Sequence, residues 1–183
     1  FPISLTEQNN TIINYLKLTK NKDYKDNKKA FNSDFIGPSS ATLQMINLLH
    51  ESDINDTNKN IPNIRKNYTV TEKADGTRKL LFINNDGKLY FITTLMNIEF
   101  TGTIINDKIL FNTIIDGEHI LHNKNGEYIN TFAAFDIYYI NNKNLTGLAF
   151  ISLENTGKIE LKTSVTNKSK GKDIDKKVEE EED

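Results

Sequence analysis

Glu72-Lys73-Ala74-Asp75-Gly76-Thr77-Arg78-Lys79-Leu80-Leu81-Phe82-Ile83-Asn84-Asn85-Asp86-Gly87 is the stretch from which the fold is read. Asn85-Asp86-Gly87 separates two apolar runs, Leu80–Ile83 and Leu89–Ile92. An Asp-Gly step between such runs is a strong short-range hairpin signal, because glycine supplies the positive φ that a tight turn needs. Upstream, Tyr68-Thr69-Val70-Thr71 has the β-branched and aromatic character of a strand. Strands over Tyr68–Lys73 and Arg78–Ile83 are therefore expected to flank the Asp75-Gly76 turn. Lys73 then stands where an amine can be held at a pocket wall, although a solvated hairpin lysine is the favoured reading of the residue in isolation. Arg65 and Arg78 are the only arginines among 23 Lys and Arg residues. A planar, permanently charged guanidinium is not interchangeable with an ammonium, so Arg78 is expected to have a specific task.

Further strands are read over Ile98–Phe100, Ile109–Phe111 and Thr113–Leu121. Asn123-Lys124-Asn125-Gly126 is read as a second hairpin turn leading into Tyr128-Ile129. The apolar run Thr131–Ile140 is expected to be a central strand covered on both faces. On the N-terminal side, Ser4-Leu5-Thr6-Glu7 fits a capping box. The apolar residues Leu5, Ile12, Ile13, Leu16 and Leu18 then predict a helix of about three turns. Residues 19–34 read as a polar linker. Leu43, Met45, Ile46, Leu48 and Leu49 predict a second helix ending near His50. The fold class is α+β, an antiparallel-rich sheet with N-terminal helices. The chain divides into a helix and linker (1–34), a sheet domain (35–163) and a charged tail (164–183) ending in Glu179-Glu180-Glu181-Glu182-Asp183, which cannot bury enough apolar surface to order itself.

Bulk properties narrow the chemistry. The chain has 183 residues and a net charge of −2, so any polynucleotide contact must be local. It contains no cysteine, which excludes disulfides, thiolate zinc sites and thiol nucleophiles. No apolar run approaches the roughly 20 residues needed to span a bilayer, and no signal peptide is visible. No membrane association is expected.

Three elements follow in order: Lys73-Ala74-Asp75-Gly76-Thr77-Arg78, then Ile114-Ile115-Asp116-Gly117-Glu118-His119, then Phe132-Ala133-Ala134-Phe135-Asp136. Together they resemble the covalent nucleotidyltransferases, the superfamily of mRNA capping guanylyltransferases and ATP-dependent DNA and RNA ligases. Lys-Ala-Asp-Gly-Thr-Arg is closer to the capping enzymes. Phe35-Ile36-Gly37-Pro38, with Tyr68–Glu72, is similar to those of large DNA viruses.

The resemblance implies that Lys73 attacks the α-phosphate of GTP, after losing its proton, and carries GMP to the 5′-diphosphate end of RNA. It implies that Asp75 orients the lysine beside Gly76, that Arg78 contacts ribose or phosphate, and that Phe135 stacks on the purine. Glu118 would bind a ribose hydroxyl or a metal, Mg²⁺ or Mn²⁺, through water. Phe132, three positions from Phe135, is expected on the opposite strand face. Fused or associated triphosphatase and methyltransferase domains, and a cytoplasmic, virus-factory or virion location, are implied in the same way.

The Asp-Arg pair that many capping enzymes carry after the first motif is replaced by Phe91–Asn97. The later Asp-Gly and Lys-x-Lys motifs are not found, and Lys158–Lys162 matches them poorly. The chain is thus expected to be an N-terminal part of the nucleotidyltransferase domain. An ATP-dependent polynucleotide ligase fragment and a non-catalytic nucleotide- or RNA-binding module are the alternatives.

Overall fold

The computed structural model describes residues 1–20, 24, 29–66 and 68–149. The charged tail and the Lys158–Lys162 stretch lie outside these residues. One helix, α1 (Leu5–Lys20), is followed by short 3₁₀ turns and then six strands. The strands are β1 (Thr77–Ile83), β2 (Lys88–Thr93), β3 (Ile98–Ile104), β4 (Thr113–His122), β5 (Tyr128–Ile140) and β6 (Lys143–Asn144). They form one sheet in the order β3-β2-β1-β4-β5-β6, every pair antiparallel.

Both expected hairpins form. The first closes with Gly87 N–H donating to Asn84 O at 3.1 Å, and Gly87 has φ +81°. The second closes with Gly126 N–H donating to Asn123 O at 3.0 Å. Side chains alternate along β1. Leu80 and Phe82 are buried on the side covered by α1, together with Tyr90, Ile92 and Ile114. Arg78 shares that side, because it is two residues from Leu80.

Helix α1 completes this core with Tyr15 and Leu16, both fully buried. Burying a side chain of this size contributes about 1.5–3 kcal/mol. Tyr15 meets Phe82 edge-on, with centroids 6.0 Å apart. The helix starts as expected, with Glu7 N–H donating to Ser4 Oγ at 3.1 Å. The Glu7 carboxylate, however, reaches across to the sheet. It accepts from Lys88 Nζ at 2.8 Å and from the Tyr90 hydroxyl at 2.7 Å. Leu5, counted on the apolar face, is exposed.

Four expected elements differ. Residues 68–76 form no strand, and Val70 is 99% exposed. Both edges of β1 are already paired with β2 and β4, so this segment cannot fold back to pair with β1 as a hairpin. The second helix is a single 3₁₀ turn over Met45–Leu48. Gln44 N–H donates to Asn47 Oδ1 at 2.9 Å and Asn47 N–H donates to Gln44 O at 2.9 Å, so local side-chain bonding closes one short turn in place of a longer helix. Residues 108–110 also form a 3₁₀ turn, capped by Asp107 Oδ1 accepting from Ile109 N–H. Finally, β5 lies beside the two-residue strand β6 rather than at the centre, and only Tyr138 and Tyr139 within it are buried.

Strand β5 carries register shifts that bear on the site. Asp116 pairs with Asp136 and Gly117 with Ala134, which leaves Phe135 as an extra residue. Ile114 pairs with Tyr139 and Ile115 with Ile137, which leaves Tyr138 as another. Such bulges re-aim side chains relative to the regular alternation.

Two predictions concern the seating of α1. The Tyr15 hydroxyl donates to Asp34 O at 2.9 Å and accepts from Ile36 N–H at 3.0 Å. Tyr15→Phe leaves both backbone groups unpaired and should lower stability by about 1–3 kcal/mol, read as a lower urea midpoint at unchanged slope. An unchanged midpoint would refute this role. Glu7 and Asp34 are held below their ordinary values of 4.5 and 3.8. For Glu7 the causes are hydrogen bonds from Lys88 and then Tyr90. For Asp34, burial pushes upward and is outweighed by bonds from Lys20 and the Phe31 amide. A depressed acid stabilises the fold above its unfolded value and loses that contribution as pH falls through its folded value. The melting temperature should therefore drop between about pH 5 and pH 3, and less steeply in Glu7→Gln/Asp34→Asn than in the parent chain.

Candidate active site

The Asp116-Gly117-Glu118 segment lies on β4 directly beside the start of β1, with Arg78 opposite Glu118 and Leu80 opposite Asp116. Arg78 leans two pairs along the strand. Its Nε donates to Asp116 Oδ1 at 3.1 Å and its Nη2 to Oδ2 at 2.5 Å. Asp116 is 0% exposed, and a third donor, the Tyr138 hydroxyl, reaches Oδ2 at 2.5 Å. A carboxylate removed from water costs several kcal/mol unless its lone pairs are met, and here three hydrogen bonds meet them. The pair holds the guanidinium above its ordinary range, an effect that exceeds the downward push of burial. Burial, followed by the bond to Asp116, raises the Tyr138 phenol, so it stays a donor.

The other end of Arg78 faces the preceding segment. Nη1 donates to Pro38 O at 2.6 Å. The guanidinium carbon lies 5.5 Å from the Phe35 ring centroid and 6.0 Å from that of Phe135. Both distances fall within cation–π range. Three of the five N–H donors of Arg78 are thus committed to protein atoms. Phe132 packs on Phe91, at 5.4 Å, on the other side of the sheet from Phe135, as the spacing predicts.

Lys73 does not lie on a strand. Its side chain is 85% exposed, and Nζ is 3.3 Å from Asp75 Oδ1, which is itself fully exposed. The chain nevertheless runs along a cleft of about 580 Å³. Thr71, Glu72, Lys73 and Ala74 line one wall, and Glu118, Ala133, Ala134 and Phe135 line the other. Gly76 fixes this course, because a Cβ there would sit 2.5 Å from the His119 carbonyl oxygen on β4. The Asp75-Gly76 step is a close crossing over β4 and not a hairpin turn.

The cleft brings Lys73, Glu118 and Phe135 together. Arg78 supports its wall from behind, and Asp75 stands outside it. A larger hollow of about 760 Å³, over Phe91 and Phe132, contains none of Lys73, Asp75, Arg78, Glu118 and Phe135. Glu72 and Glu118 both line the cleft, and carboxylate oxygens are the ligand type that a hard divalent cation takes. Among the described residues, no group of three or more His, Cys, Asp or Glu is placed to hold a metal by itself.

Asp116, Tyr138 and Phe35 were not singled out as site residues from the sequence. The available signal for Asp116 was its position, a charge two residues from Ile114 on a strand whose partner carries one of only two arginines. Removing one partner of a buried ion pair leaves the other uncompensated. Asp116→Ala should therefore cost about 3–5 kcal/mol in denaturant unfolding. Asp75→Ala, at an exposed pair, should change stability by less than about 0.5 kcal/mol. Equal effects of the two would contradict the geometry.

The family described as mRNA capping enzyme, catalytic domain, matches residues 57–180, which include all three motif segments. The match extends over more than half of the chain. With the antiparallel sheet and the shared cleft already in place, it shows that the chain belongs to the mRNA capping enzyme catalytic-domain family.

Proposed function

We propose that the chain carries the guanylyltransferase site of an mRNA capping enzyme, with Lys73 as the nucleophile. The observation behind this reading is that one residue from each motif segment, Lys73, Glu118 and Phe135, lines a single cleft. In the first half-reaction Lys73 Nζ attacks the α-phosphorus of GTP. A P–N bond forms, the bond to the bridging oxygen breaks, and pyrophosphate departs with that electron pair. In the second half-reaction a β-phosphate oxygen of the RNA 5′-diphosphate attacks the same phosphorus and the lysine leaves.

The residues divide this work by position. An ammonium is not a nucleophile, so Lys73 must leave Asp75, shed its proton and enter the cleft. Its flexible four-carbon stem and its exposure support that movement. Phe135 offers a flat apolar ring to the purine, and its other side is backed by Arg78. Glu118 is placed for a ribose hydroxyl or, with Glu72, for Mg²⁺ or Mn²⁺. A bound divalent ion would offset phosphate charge and polarise the α-phosphorus. Arg78 is assigned first to holding the wall, and any contact with ribose or phosphate would use its remaining donors.

Incubation with α-labelled GTP, and separately with α-labelled ATP, tests the reading. Label should pass from GTP to the protein, be acid-labile and base-stable, and fall to background in Lys73→Ala with the melting temperature unchanged. Label that persists in Lys73→Ala would rule out this nucleophile. Label from ATP alone would turn the assignment to a ligase.

A further inference from the structure

We infer that Tyr138 is a positioning residue for nucleotide binding, acting through Asp116 and Arg78 on the Phe135 ring. The inference rests on the cleft reading above. It starts from the two bulges in β5. Phe135 and Tyr138 are three apart, so regular alternation would place them on opposite sides of the sheet. Both are residues left over at register shifts, and each reaches one member of the Arg78–Asp116 pair. Phe135 lies against the Arg78 guanidinium, and the Tyr138 hydroxyl binds the carboxylate that grips it.

Tyr138 itself does not line the cleft. Its hydroxyl fixes Asp116 Oδ2, the oxygen that also accepts from Arg78 Nη2. Without that hydroxyl the buried carboxylate can rotate toward its one remaining partner. The guanidinium then loses its fixed plane, and with it the backing of Phe135 and the hold on Pro38 O. The effect should appear in nucleotide affinity and not in the bond-making step.

The test uses Tyr138→Phe in the full chain, with Tyr139→Phe as comparator. The Tyr139 hydroxyl accepts from Asn144 Nδ2, away from this network. In the GTP labelling assay Tyr138→Phe should raise KM about three- to tenfold, the worth of one hydrogen bond, with the saturating rate within about twofold. Combined with Arg78→Lys it should add nothing further, because both act on one linkage. Tyr139→Phe should leave KM unchanged. By NMR, the Arg78 Nε–H should exchange with solvent at least about tenfold faster in Tyr138→Phe.

An unchanged Nε–H exchange rate overturns the linkage whatever the labelling shows. Faster exchange with unchanged KM, or full additivity with Arg78→Lys, overturns the positioning role. Absence of label in the parent chain sinks the guanylyltransferase reading instead, while the Arg78 signal still decides whether Tyr138 governs the guanidinium.

Discussion

A carboxylate with no access to water sits at the centre of this structure. Asp116 can be tolerated there only because Arg78 meets it with two parallel N–H groups and Tyr138 with a third donor. The net stabilisation from such a pair is small, since Coulombic attraction is largely offset by desolvation. Its consequence is positional. The pair links β1 to β4 side chain to side chain, recruits β5 through Tyr138, and ties the Phe35–Pro38 segment to the sheet through Nη1 and the Phe35 ring. The far wall of the cleft is therefore built on groups held by these bonds, while the Lys73 side chain on the near wall is exposed to solvent.

That contrast suits a covalent carrier. Its nucleophile must reach a phosphorus, hold a nucleotide and release it to a second substrate, so a long exposed side chain is an advantage. In the proposed reaction the groups that would recognise base and ribose must not move between the two half-reactions. Phe135, clamped from behind by a guanidinium, and Glu118, on a paired strand, meet that requirement. The cleft is open as it stands, and an exposed ammonium beside Asp75 is a resting arrangement.

Much of the architecture was legible because local chemistry and tertiary pairing agree. Asn85-Asp86-Gly87 and Asn123–Gly126 turn the chain where expected, and Ser4 caps the helix it was assigned to. The motif order also identified the cleft residues Lys73, Glu118 and Phe135. Misreadings arose where a local pattern needs a partner that the topology withholds. Tyr68–Thr71 has strand composition, but both edges of the adjoining strand β1 are taken by β2 and β4, and within 43–49 the Asn47 side chain ties up the Gln44 amide and a single turn results. Thr131–Ile140 read as a doubly covered strand, whereas its bulges turn it toward the site and its neighbour is only two residues long. The Asp116–Tyr138 contact was beyond sequence reasoning, because it depends on a bulge that no residue type announces.

The most direct measurement is a crystal structure of the chain with GTP bound. The account predicts the guanine ring against the open side of Phe135 and the α-phosphate within bonding reach of Lys73 Nζ, with Arg78 still paired to Asp116. Nucleotide seated elsewhere, or an Arg78 that abandons Asp116 to reach the phosphates, would contradict it.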